Sequence, residues 1–124
     1  MNSLAQVDIH TAYNSNSGIN DVGLVRLKHL LDFKVNCQPV NLEDSIVASG
    51  TSGAIYGWGS RESPSDHFLT GTFTAFSNEE CQKEHTDADL TTRICAKESI
   101  CVGEKCALFV VNGRLVAIAS VKAA

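Results

Sequence analysis

The residues able to do chemistry in this 124-residue sequence are few and unevenly placed. Asp21 stands at the head of an apolar run, Val22-Gly23-Leu24-Val25-Arg26-Leu27, where its carboxylate could orient a histidine or serve as an ordinary solvated turn residue before a strand. Four histidines are present, His10, His29, His67 and His85, the last three in polar surroundings that suit surface side chains. Near the end lies a glycine-containing loop, Cys101-Val102-Gly103-Glu104-Lys105-Cys106, which runs into the apolar stretch Ala107 to Val111. Lys105 is protonated in water and attacks nothing unless desolvation drives its pKa far down. A Cys106 thiol needs a neighbouring base to act as a nucleophile, and no histidine lies near it in sequence.

The five cysteines, at positions 37, 81, 95, 101 and 106, exceed typical cytosolic use. None lies in a CxxC pair, so structural disulfides are a better reading than zinc, and no metal or cofactor is implied. The odd count leaves at least one thiol unpaired within the chain. Met1 to Asp8 has neither the basic start nor the apolar core of a signal peptide. A secreted style of cysteine use without a leader suggests that the beginning of the protein lies upstream. A net charge of −4 argues against nucleic acid as a partner. No apolar run approaches the roughly 20 residues of a membrane helix.

The elements that would carry these groups are short strands between turns. Val7 to His10 alternates like a half-buried strand, and Val22 to Leu27 reads as a strand of buried character. Leu30 to Val35 is open between a helical turn and a loop, and Gln38 to Leu42 alternates again. Ala54 to Gly59 and Leu69 to Phe76 are β-rich, with Arg61 to Asp66 a polar loop between them. Ser77 to His85 is the one helix candidate, a cap residue followed by acids in the first turn. Arg93 to Ala96 and Ala107 to Val111 read as strands. Asn112-Gly113 predicts a two-residue hairpin returning through Leu115 to Ser120. Many short strands and one short helix near 78–85 mean an all-β domain, barrel or sandwich.

In this order the motifs resemble the trypsin-like (chymotrypsin-fold) serine proteases. Asn20 to Leu27 looks like that family's aspartate motif, with His10-Thr11-Ala12-Tyr13 at the preceding turn. Gly50-Thr51 with Tyr56-Gly57-Trp58-Gly59 is similar to its Gly-Trp-Gly strand, and Cys101 to Lys105 falls on its Cys-x-Gly-Asp-Ser loop. Asn112 to Ser120 matches the hairpin behind that loop. The resemblance implies a partial double β-barrel: residues 1–45 from the first barrel and the connection, and 46–124 an incomplete second barrel. It implies that the chain starts inside the first barrel and stops before the last strand and C-terminal helix of the second. It also implies a Cys81–Cys95 bridge, a substrate-pocket position at Ser99, a substrate-backbone position at Ser120 and an oxyanion-hole donor at Gly103. Cys37, Cys101 and Cys106 have no partner that the resemblance supplies, and a Cys101–Cys106 bridge remains open.

The family's chemistry needs a serine, a histidine that activates it and a buried aspartate that orients the histidine. Here Lys105 takes the serine's place, and Cys106 and Ala107 replace two glycines, restricting the backbone of the oxyanion loop. The family's histidine motif lies upstream of the aspartate, and nothing before residue 10 resembles it, His10 being the turn histidine. Glu104 replaces the acid that pairs with a new N-terminus. The expectation is therefore a secreted, non-catalytic homologue in which Asp21 is vestigial, acting by binding a protease, substrate or inhibitor. A serine endopeptidase by ancestry and a gene fragment without its own role are the alternatives.

Overall fold

The computed structural model describes residues 3–60, 63–86, 90–98 and 107–120. Among the described residues it is all-β with one short helix, arranged as two sheets of unequal size. The smaller pairs β1 (Leu4–Ile9) with β2 (Gly23–Leu27), antiparallel, with a register shift between Leu4 and Gln6. The larger has six strands: β3 (Asn41–Leu42), β4 (Ser52–Gly59), β5 (Pro64–Phe76), β6 (Cys95–Glu98), β7 (Leu108–Val111) and β8 (Arg114–Ile118). Their spatial order is β3-β8-β7-β4-β5-β6, so the sheet is open and ends on β3 and β6.

The core sits on one face of the larger sheet. Ile55 on β4, Phe73 and Ala75 on β5, Ala107 and Phe109 are buried together, with Leu69, Val111 and Val116 packed around them. Phe73 and Phe109 meet edge to face at 4.9 Å between centroids, the geometry that aromatic quadrupoles favour. The strands pack this closely because β4 carries Gly53. A Cβ there would come within 2.4 Å of the Val110 carbonyl oxygen and 2.8 Å of the Phe73 ring.

Two local devices set the connections. Asn112 and Gly113 take φ of 51° and 76°, the left-handed pair that a two-residue hairpin needs for its twist to match the strands. Helix α1 (Asn78–Glu84) is capped by Ser77, whose Oγ accepts from the Glu80 N–H while the Glu80 carboxylate accepts from the Ser77 N–H. Glu80 also accepts from Ser49 Oγ at 2.9 Å, and these bonds, that from Ser49 foremost, lower its pKa below the ordinary 4.5. The helix is tied to β6 by the Cys81–Cys95 disulfide.

Two sequence readings are corrected, and one left open between a helical turn and a loop is decided. Asp66 lies within β5 rather than in a loop. Past a bulge in β4, Gly59 pairs with Pro64, which extends the hairpin, and a proline is tolerated at the first position of a strand. Leu30 to Val35 forms no helical turn and leads to an isolated bridge between Lys34 and Cys37. β1 and β2 are not half-buried or buried: every residue in them except Leu27 is exposed, Leu24 by 72% and Ile9 by 68%. An apolar run records what a strand can bury, and burial itself requires a second layer, which this sheet lacks among the described residues.

Candidate functional site

Asp21 sits where the loop from β1 turns into β2. Asn20, just before it, adopts the left-handed conformation (φ 54°), one that asparagine tolerates better than most residues. Three bonds hold Asn20 there. Its side-chain amide donates to the Ala12 carbonyl at 3.1 Å, its N–H donates to Thr92 Oγ1 at 3.2 Å, and its carbonyl accepts from Val22 N–H at 2.8 Å. The same loop is anchored to the larger sheet by the Arg93 guanidinium, which donates to the Ser17 carbonyl. At its mouth His10 N–H donates to the Val22 carbonyl at 3.1 Å. Asp21 is thus placed by a loop pinned to both sheets.

What meets it is Ser120. The β7–β8 hairpin brings the chain back along itself, and Ala119 N–H donates to the Ala107 carbonyl at 2.8 Å. That bond fixes the residue before Ser120, whose Oγ donates to Asp21 Oδ2 at 2.5 Å. The two residues are 99 positions apart, and this contact joins the small sheet to the end of the large one. A short O–H···O⁻ bond is charge-assisted and strong for its kind. Asp21 is nevertheless exposed and Ser120 only half-buried, so solvent screens the carboxylate.

A profile of the family described as Trypsin matches residues 2–123. The chain belongs to the trypsin-like serine protease family. Mouse kallikrein-11 is 29% identical over 127 aligned residues, which take in 95% of this chain and 46% of that protein. Chicken trypsin II-P29 is 30% identical over 121 residues, 90% of this chain and 48% of that protein. The chain therefore spans less than half the length of these curated relatives. Among solved structures, mouse neuropsin, described as a serine protease expressed in the limbic system, superposes with a TM-score of 0.77 at 24% identity. It matches 92% of this chain and 56% of its own, and shows that the fold is shared.

Within the trypsin-like frame the structure brings together Asp21 and Ser120, the residues read as triad aspartate and substrate-backbone position. It also joins Cys81 to Cys95. His10 Nδ1 accepts from Ala12 N–H at 3.0 Å within its own turn, His29 and His67 are exposed, and His85 caps α1. Ser99, Gly103, Lys105 and the cysteines at 101 and 106 lie outside the described residues. Among the described residues, Cys37 is a free, half-buried thiol.

Sequence reasoning missed the anchors of the aspartate loop, Asn20, Thr92 and Arg93, and missed that Ser120 faces Asp21. The Asn-Asp pair before an apolar run was the available signal for a left-handed residue at 20. Nothing local points from Thr92 or Arg93 to a loop some 70 positions away.

Proposed function

We propose that this chain is a non-catalytic member of the trypsin-like family, a secreted protein that acts by binding a protease, a protease substrate or a protein inhibitor. The observation that carries the reading is Lys105 at the nucleophile's place in the Cys-x-Gly-Asp-Ser motif. A lysine ammonium has no lone pair to attack a carbonyl, and the motif's glycines are replaced beside it by Cys106 and Ala107. The Asp21–Ser120 contact supports retention of the scaffold, since it fixes loop geometry without a nucleophile. Exposure of Asp21 also weakens the electrostatic leverage that a triad carboxylate exerts on imidazole. The Cys81–Cys95 bridge favours an oxidising compartment.

A second reading, serine-type endopeptidase, is favoured by the presence of Asp21 in its motif and by the names of the relatives, trypsins and kallikreins. Turnover of chromogenic peptide amides and calorimetric titration with trypsin-like proteases and their protein inhibitors separate the two. Binding with micromolar or tighter Kd and no turnover is the expected result. Turnover abolished by replacing a single serine would overturn it.

A further inference from the structure

His10 ends β1 with its backbone and opens the aspartate loop with its side chain. Its N–H donates to the Val22 carbonyl at 3.1 Å, one step beyond the Ile9–Gly23 pair. Its ring Nδ1 accepts from the Ala12 N–H at 3.0 Å, and its carbonyl accepts from the Tyr13 N–H at 3.0 Å. The turn closed in this way presents the Ala12 carbonyl to the Asn20 side-chain amide, 3.1 Å away. Asn20, left-handed and bonded to Thr92 Oγ1, directly precedes Asp21, which accepts from Ser120 Oγ. A continuous series of contacts therefore runs from the His10 ring to the bond between the two sheets.

The first of these contacts depends on charge. A neutral imidazole with its proton on Nε2 can accept at Nδ1, whereas an imidazolium carries donors at both nitrogens. Histidine is the side chain that ordinarily changes charge between about pH 5 and 8. A protonated Nδ1 sets N–H against N–H, so the exposed ring turns away and the Ala12 N–H is left to water. Continuing the register places His10 opposite Val22, on the face that holds Gln6, Asp8, Leu24 and Arg26. Asp8 and Arg26 are the charged groups there, and the Asp8 carboxylate accepts from Gln6 Nε2 at 2.7 Å. From the segment before β6, the Arg93 guanidinium donates to the Ser17 carbonyl, and Asp21 itself is bonded to Ser120.

We propose that His10 is a pH-sensitive latch on the aspartate loop. Neutral, it closes the turn that seats Asn20 and, through Asn20, the Asp21–Ser120 contact; protonated, it opens that turn and loosens the contact. The same loop contains a version of the device that does not depend on charge. Asn14 Oδ1 accepts from the Asn16 N–H at 2.9 Å, again two residues on, in the turn that an asparagine side chain forms with its own backbone. An asparagine at position 10 would make the same bond with no ring to protonate.

Two-dimensional NMR of the isotopically labelled 124-residue chain between about pH 8 and 5 tests this, a range that stays above ordinary carboxylate titration. The Ala12 amide, the Asn20 side-chain amide and the Ser120 amide should shift together, with the midpoint of the His10 ring. The hydrogen-exchange protection of Ala12 should fall about threefold or more on acidification, the size of one hydrogen bond. His10→Asn should hold all three signals still across the range, because it keeps the turn. His10→Ala, which lacks the acceptor, should show the acid-form signals at every pH. Ala12 titrating while Asn20 and Ser120 stay fixed would overturn the latch. So would a titration that survives in His10→Asn, since its source would then lie at His29, His67 or His85. Should the variants fail to fold, the unaltered chain decides: amides that move with a midpoint other than that of the His10 ring, or do not move, refute the proposal.

Discussion

Replacing Phe73 with alanine probes the core where it is narrowest. Phe73 is 1% exposed and packs against Ile55, Ala75, Ala107 and Phe109. Its ring meets that of Phe109 edge to face, and it lies beside the position where Gly53 lacks a side chain. Truncating a buried phenylalanine to alanine costs about 3–5 kcal/mol, from lost transfer free energy and from the cavity left behind. The aromatic pair lost with it is worth about 0.5–1.5 kcal/mol beyond area burial and is part of that cost. Domains of this size have a total stability of about 5–15 kcal/mol, so Phe73→Ala should remove about a fifth of it or more. Urea unfolding followed by circular dichroism and by Trp58, the single tryptophan, gives the difference. Leu24→Ala, at a side chain 72% exposed, is the control and should cost no more than about 0.5 kcal/mol. A Phe73→Ala loss below about 1 kcal/mol, or equal losses for the two variants, would refute the placement of the core on the larger sheet.

Other outcomes follow from single contacts. Ser77→Ala removes the α1 cap and should cost about 1 kcal/mol in the same denaturation experiment. Opening the Cys81–Cys95 bridge, which closes a loop with a sequence separation of 14, should lower stability by about 3 kcal/mol, read as a fall in Tm under reductant. The carboxyls of Glu80 and Glu43 titrate below the ordinary 4.5, held down chiefly by Ser49 and Ser45 respectively. A depressed folded-state pKa stabilises above the unfolded value and loses that contribution as pH falls through the folded one. Stability should therefore decline on acidification below 4.5, with a shallower slope in Glu80→Gln, measured by melts across a pH series. Gly53→Ala should cost about 1–3 kcal/mol, because its Cβ meets the Val110 backbone rather than a movable side chain.

What could be read in the sequence was mostly local. Asn112-Gly113 specified its hairpin because few other pairs adopt two successive left-handed residues, and Ser77 with Glu80 specified a capped helix. The family could be read because several such motifs follow one another in a fixed order. Burial of β2 could not, since Val22 to Leu27 says only that the strand is apolar, and no layer covers it among the described residues. The first half of β5 was obscured by the polar residues around Asp66, whose strand pairing depends on a bulge in β4. The Asp21–Ser120 bond depends on two sheets meeting, and no local pattern encodes a contact across 99 positions.

The claim at the centre is that no activated serine exists in this chain. Intact-mass spectrometry after incubation with an excess of a fluorophosphonate, which phosphonylates activated serines, tests it most directly. The account predicts an unchanged mass under conditions that label trypsin fully. A stoichiometric adduct mapping to one serine, and lost when the chain is denatured first, would contradict it.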